Sequence, residues 1–420
     1  MKKKYFIRTL FVLLILIIGS YFIPAPQADF FDLYTKNDKP ALSLKEFKSR
    51  ATKQITVNKV KWNYLTSGNG KETILFLHGM GGAYDLWWQQ VIEFEKDYKI
   101  ITYTLPEEIN SLEKVSEGIL KILETENIDE FNVIGTSMGG YIAQYLVSTI
   151  PNRIEKAVFA NTFPPNNLIE KVNATKSKVI PYLPEILLSK LGEKKLNNEL
   201  IPSAKNSELL LAFLPSLPFS KKQFMNRFYV VIDKFTATPT KYEIKRIPKL
   251  IIESDNDPLI QPQLRTKIKE LYLDTEIYTF KNEGHFPYIN ASQEYNTVLR
   301  NFLTKENEFK SVEKTIHNYF EGRKNANLEI LQTAFSKNAS LYTSLNNTEL
   351  IIPFDAFLKK VKSDGVQQIK TSILNGDIEG DIANFKTQFI YSNTSYSDYL
   401  TLLKVQKEWK IISKTFTKNY

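Results

Sequence analysis

Between Thr73 and Phe280 the chain repeats one arrangement: a short apolar run, a glycine-rich or polar join, then a segment whose apolar residues recur at helical spacing. The runs are Thr73–Leu77, Ile100–Tyr103, Glu130–Ile134, Lys156–Ala160, Lys249–Glu253 and Glu276–Phe280. Thr73–Leu77 is almost wholly apolar, which suits a strand buried on both faces. Among the intervening segments, Ser111 is placed to cap a helix whose Leu112, Val115, Ile119, Ile122 and Leu123 fall on one face. Strands alternating with helices through short joins call for an α/β fold with a doubly wound, mostly parallel sheet. In such a sheet functional groups gather beyond the carboxyl ends of the strands. His78, Ser137 and the residues after Ala160 stand there.

The richest of these ends is Gly135-Thr136-Ser137-Met138-Gly139, a G-x-S-x-G sequence between an apolar run and a helix-like segment. Glycines two positions either side of a serine let the backbone turn sharply and stand the hydroxyl above the sheet, which makes Ser137 the candidate nucleophile. A serine hydroxyl needs a base poised near neutral pH, and histidine is the side chain tuned there without perturbation. The chain has three: His78, His285 and His317. His285 follows Gly284 in the loop after the last run and is the candidate base. His78 precedes Gly79-Met80-Gly81-Gly82 and reads as a support for that loop, whereas His317 falls in a helix-like stretch of another domain. The base needs an acceptor on its other nitrogen. Asp257, followed by Pro258 in a tight turn, is the choice, with Asp255 as the alternative and Glu253 deeper in the strand. The N–H of Met138 at the helix start and that of Met80 in the glycine loop are the expected oxyanion donors.

The alternation stops between about 162 and 247, where Pro- and Leu-rich segments such as Pro181–Pro184 and Leu209–Leu214 read as a helical cap inserted over the site. Beyond the charged linker Lys305–Glu308 come helix-like stretches, Val312–Gly322, Leu328–Phe335 and Phe354–Val361. Long alternating strands follow: Gln368–Leu374, Ile382–Tyr391, Tyr399–Val405 and Trp409–Thr415. Helices followed by an antiparallel sheet make a separate small α+β domain over 309–420. At the other end, Lys2-Lys3-Lys4 and Arg8 precede an apolar run from Leu10 to Ile23, the layout of a signal-anchor helix over 1–24 with the body of the protein extracytoplasmic. Cleavage, giving a secreted or periplasmic protein, is the alternative expectation. Residues 25–51 mix Pro, Asp, Lys and aromatics without a sustained period and read as a membrane-proximal linker holding at most one short helix.

The net charge of +9 comes from scattered lysines with acidic residues between them, so nucleic acid is not an expected partner. Cysteine is absent, which excludes a thiol nucleophile and a cysteine-based metal site. Neither a metal nor an organic cofactor is expected.

In their order, His78-Gly79-Met80-Gly81, Gly135-Thr136-Ser137-Met138-Gly139, Asp257-Pro258 and Gly284-His285-Phe286-Pro287 make residues 52–304 resemble the α/β-hydrolase superfamily. That resemblance implies a Ser137, Asp257, His285 triad with Met80 and Met138 as oxyanion donors, and His78, Gly79, Gly135 and Gly139 as the supporting loop residues. One departure is the join after Tyr103, where Leu105-Pro106-Glu107-Glu108 runs almost straight into the next helix. Residues 309–420, through Tyr399–Lys404 and Glu408–Ile412, resemble the nuclear-transport-factor-2-like fold and its lumazine-binding-like group. Such domains bind small ligands or form a homodimer. The expected function is a serine esterase or lipase acting on a small-molecule ester with an apolar acyl part, tethered to a membrane by its N-terminal segment. The alternatives are C–C or thioester hydrolysis by the same triad, or a non-catalytic binding protein on the same scaffold.

Overall fold

The computed structural model describes residues 2–419, which form two compact units: residues 2–239 with Ile247–Thr304, and Thr240–Arg246 with residues 305–419. In the first, eight strands make one sheet: β1 (Lys53–Val57), β2 (Val60–Ser67), β3 (Thr73–Leu77), β4 (Lys99–Thr104), β5 (Phe131–Thr136), β6 (Ile154–Ala160), β7 (Lys249–Ser254) and β8 (Glu276–Phe280). Their order is β1-β2-β4-β3-β5-β6-β7-β8. The sheet is mixed, because β1, β2 and β4 pair antiparallel while β4, β3, β5, β6, β7 and β8 run parallel. The central strands β3, β5 and β7 are buried along their whole length, as strands covered by helices on both faces must be. Ser111 caps the helix Leu112–Thr125, its side chain accepting the N–H of Lys114. That helix buries Leu112, Val115, Ile119, Ile122 and Leu123, the stripe its spacing predicts.

Between β6 and β7 the insertion is helical, with helices Leu168–Val179, Glu185–Lys195, Glu208–Phe213 and Lys221–Ile232. The stretch Thr240–Arg246 within the expected insertion groups instead with the second compact unit.

Two readings of the N-terminus need correction. A helix does form over Lys2–Ser20, but it ends there and contains Lys3, Lys4 and Arg8; no helix among the described residues is long and apolar enough to cross a membrane. Residues 25–51, expected to hold at most one short helix, form two. They hold helices Phe30–Leu33 and Lys39–Lys48, and Phe30, Tyr34, Ala41, Leu44 and Phe47 are buried in the hydrophobic core of the first unit. Burying one such phenylalanine contributes about 2 kcal/mol. Within the second of these helices Ala41, Leu44 and Phe47 recur three apart, on one face.

The second unit has helices Glu308–Lys324, Leu328–Ala334 and Phe354–Asp364 and a six-stranded sheet. Its strands are β9 (Phe335–Leu345), β10 (Thr348–Pro353), β11 (Lys370–Glu379), β12 (Ile382–Ile390), β13 (Ser395–Val405) and β14 (Glu408–Asn419), in the order β10-β9-β14-β13-β12-β11. The β9–β10 hairpin leaves little trace in the sequence, because its side chains are mostly exposed and carry no long apolar alternation. Trp409 is core, whereas Tyr399 is exposed. Inside the unit, Lys414 on β14 lies 3.0 Å from Asp398 on β13, and Tyr319 donates to the same carboxylate at 2.6 Å.

Candidate active site

Ser137 joins β5 to the helix Met138–Thr149 with φ 55° and ψ −120°, a conformation that L-residues rarely adopt. Two close approaches make it necessary. A Cβ on Gly135 would stand 2.1 Å from the carbonyl oxygen of Gly139, and one on Gly139 would stand 2.1 Å from that of Leu77, so neither position admits a side chain. The elbow is thereby pressed against the neighbouring strand, and the strain falls on Ser137. Strain of this kind typically costs about 1–3 kcal/mol. Ser137→Gly is therefore expected to be more stable to urea than Ser137→Ala by about 1 kcal/mol, although glycine loses more backbone entropy on folding. Equal midpoints would show that the elbow is unstrained.

Asp257 follows β7 and is 6% exposed. One carboxylate oxygen, Oδ1, accepts the N–H groups of Leu259 and Ile260 at 2.8 and 3.2 Å, which locks the side chain onto its own turn. The other, Oδ2, accepts from His285 Nδ1 at 2.8 Å and from the Asn161 amide at 3.0 Å. Burial alone would push this carboxyl up, but His285, Asn161 and the Leu259 N–H together hold it below the usual carboxylate range. A carboxylate can only accept, so His285 carries its proton on Nδ1 and leaves Nε2 as a free acceptor when neutral. His285 is 3% exposed, and it lines the same cavity as Ser137. Asp255, the alternative acceptor, is instead occupied by the N–H of Asn282 at 2.9 Å and by Lys281 at 3.4 Å. Glu253 pairs with Lys269 at 2.8 Å, and exposed His317 lies on the helix Glu308–Lys324 of the second unit.

The glycine loop after β3 runs beside the serine. A Cβ on Gly79 would lie 3.3 Å from that of Ser137, close enough to crowd it. His78 holds the loop as a neutral ring. Its Nδ1 bonds the carbonyl of Gly79 at 2.7 Å while Nε2 accepts the N–H of Leu105 at 3.0 Å, a pattern that requires the proton on Nδ1. The Gly79 carbonyl also accepts the N–H of Gly82 at 2.9 Å. A trans peptide points its N–H opposite its carbonyl, so these bonds turn the Met80 N–H away from His78. Met138 opens its helix and has no intrahelical acceptor for its N–H.

Burial and the nearby Arg227 draw His78 down to about 3. An unfolded histidine titrates near 6.5, so between these values the unfolded chain binds a proton that the folded one refuses. Stability contributed by neutral His78 is full above pH 6.5 and is lost as pH falls toward 3. By pH 4.5 the loss is about 2–3 kcal/mol. Urea midpoints measured from pH 7 to 4.5 should fall more steeply for the wild type than for His78→Gln; parallel slopes would refute the assignment.

Three supporting residues gave no sequence signal. Asn161, directly after β6 with φ 42°, holds Asp257 from behind. Arg227, fully buried on the cap helix Lys221–Ile232, donates to the carbonyls of Met80, Gly82 and Leu105 at 2.7, 2.8 and 2.9 Å. Burial lowers its pKa to about 9, which leaves it charged at neutral pH. Asn226 beside it donates to the carbonyl of Glu107 at 2.6 Å. The short join after β4 is thus clasped by a cap helix, and the same arginine fixes the glycine loop.

Ser137 and His285 open on a cavity of about 690 Å³, within the 300–1,000 Å³ range usual for small-molecule sites. Its walls include Leu188, Leu196, Leu200, Leu214 and Phe286. Among the described residues no lysine or arginine lines it, and Glu193 is the acidic member of the wall.

Residues 72–292, just over half of the chain, match the protein family described as alpha/beta hydrolase fold. Residues 307–417 match the family described as "Putative lumazine-binding", a nuclear-transport-factor-2-like domain. Over 201 residues the chain is 25% identical to the sn-1-specific diacylglycerol lipase ABHD11 of Mus musculus, a match covering 46% of this chain and 65%, just under two thirds, of that protein. It is 23% identical over 253 residues to the pimeloyl-(acyl-carrier protein) methyl ester esterase of Hamiltonella defensa, covering 57% of this chain and 95% of the esterase. The enol-lactonase from Burkholderia xenovorans LB400 shares the fold with a TM-score of 0.52 at 16% identity, over 60% of this chain and 100% of that one.

Proposed function

Since the chain belongs to the alpha/beta hydrolase fold family and its relatives include a lipase and a methyl ester esterase, we propose that it is a serine hydrolase cleaving a carboxylic ester with an apolar acyl part. The observation that carries this reading is the 2.8 Å bond from His285 Nδ1 to Asp257, with His285 and Ser137 lining one cavity. His285 Nε2 takes the proton of Ser137 Oγ as that oxygen attacks the ester carbonyl. The resulting oxyanion is received by the N–H groups of Met80 and Met138, each such donor contributing about 3 kcal/mol to the transition state. Collapse breaks the C–O bond, and the alcohol leaves with the proton held on His285. Water then attacks acyl-Ser137 with the same base, releasing the acid and restoring the serine.

The leucine-rich wall and its lack of lysine or arginine favour an uncharged acyl chain. The named activities of the relatives, diacylglycerol lipase and methyl ester esterase, favour an ester over a C–C bond. Stopped-flow hydrolysis of a p-nitrophenyl ester is the test. A burst of p-nitrophenol equal to the enzyme concentration is expected from an acyl-enzyme; hydrolysis that persists in Ser137→Ala would overturn the reading.

A further inference from the structure

One wall of the cavity is built from residues more than a hundred positions before Ser137. Ala25, Pro26, Ala28 and Leu33 all line it, together with cap residues such as Leu188 and Leu196. The segment is tied down at both ends. Tyr21 donates its hydroxyl to the carbonyl of Tyr182 at 2.6 Å, and the N–H of Ala25 donates to Glu185 Oε1 at 3.0 Å. The other oxygen of that carboxylate accepts the N–H of Lys221 at 2.8 Å, so Glu185 joins the segment to the starts of two cap helices. Farther on, Asp29 caps the helix Phe30–Leu33 through the N–H of Phe31 at 2.7 Å, and Phe30, 1% exposed, meets Phe213 edge-on at 6.3 Å. Lys36 pairs with Glu208 at 2.5 Å.

A segment held by cap hydrogen bonds and a buried aromatic is part of the wall, and apart from Gln27 what it presents to the cavity is small or aliphatic. Alanines at 25 and 28 leave space that larger side chains would fill, while Leu33 occupies space that a smaller one would free. We infer that residues 25–33 form a specificity-determining wall of the acyl site, setting the longest acyl chain that the cavity accepts. This rests on the ester-hydrolase reading above. The wall acts on binding of the chain far from the ester, so its effect falls on discrimination between long and short acyl groups.

The test compares full-length wild type, Ala28→Trp and Leu33→Ala on p-nitrophenyl butyrate and dodecanoate. Each variant is first matched to the wild type by circular dichroism and by its labelling with a fluorophosphonate. Ala28→Trp is expected to lower the dodecanoate-to-butyrate ratio of kcat/KM by about tenfold, through a raised KM for dodecanoate, because the indole takes the volume of several methylenes. Leu33→Ala should move the ratio the other way. Ratios in both variants within twofold of the wild type would overturn the wall while leaving the hydrolase reading intact. A wild type that neither hydrolyses these esters nor labels at Ser137 would overturn both.

Discussion

Ser137→Ala is expected to lower kcat for ester hydrolysis by about 10⁶-fold while leaving the fold intact. Ser137 is the group that would form the covalent bond, and neither His285 nor the loop amides can replace it. The residue sits at an elbow where alanine can keep the same backbone, since φ 55° is imposed by the contacts of Gly135 and Gly139 and not by the hydroxyl. Circular dichroism of the variant should therefore match the wild type. Loss of activity together with loss of structure would make the measurement uninformative about chemistry, and Ser137→Gly, expected to be the more stable variant, then serves in its place. A fall of less than about tenfold in either would remove Ser137 from the mechanism.

Asp257→Asn is expected to cost about 10⁴-fold in kcat. The carboxylate accepts from both His285 Nδ1 and the Asn161 amide. An asparagine that keeps its oxygen on the Leu259 and Ile260 N–H groups presents its amide donor to His285, forcing the proton onto Nε2 and removing the base; the opposite orientation keeps the His285 bond but sets that donor against the two backbone N–H groups. The geometry changes little and the tautomer changes completely. Because Asp257 acts through His285, the double variant Ser137→Ala with Asp257→Asn should be no slower than Ser137→Ala alone. Additive losses would mean that Asp257 contributes by some route other than the triad. Asp255→Asn is the control: its carboxylate caps the Asn282 N–H and meets Lys281, so kcat should change by less than about threefold.

The strands were legible because burial on both faces leaves a local trace: Thr73–Leu77 and Lys156–Ala160 end in the structure at the residues where their apolar runs end. Candidate site positions were legible for a related reason. In a parallel sheet the chemistry lies past the strand ends, so a serine between glycines after β5 and a histidine after β8 stood out. What composition concealed was long-range. Arg227 donates to carbonyls of residues 122 and more positions away in sequence, and nothing in Lys221–Ile232 distinguishes it from the other surface-compatible cations of that helix. Asn161 is one asparagine among many until its left-handed backbone and its bond to Asp257 are seen. The N-terminal stretch was the least legible part. An apolar run after lysines has the pattern of an anchor, yet its helix stops at Ser20; and a Pro-Asp-Lys mixture has the pattern of a linker, yet Phe30 and Phe47 are core residues. Helices of 4 and 10 residues give too few turns for their apolar face to show as a period.

The central claim is that Ser137 is a nucleophile activated by His285 and Asp257. Intact-mass analysis after incubation with a fluorophosphonate, followed by peptide mapping, tests it most directly. One adduct per chain, on the peptide containing Ser137, formed at least 10³-fold more slowly in His285→Ala, is the predicted result. No adduct on Ser137, or an adduct whose rate of formation is indifferent to His285, would contradict it.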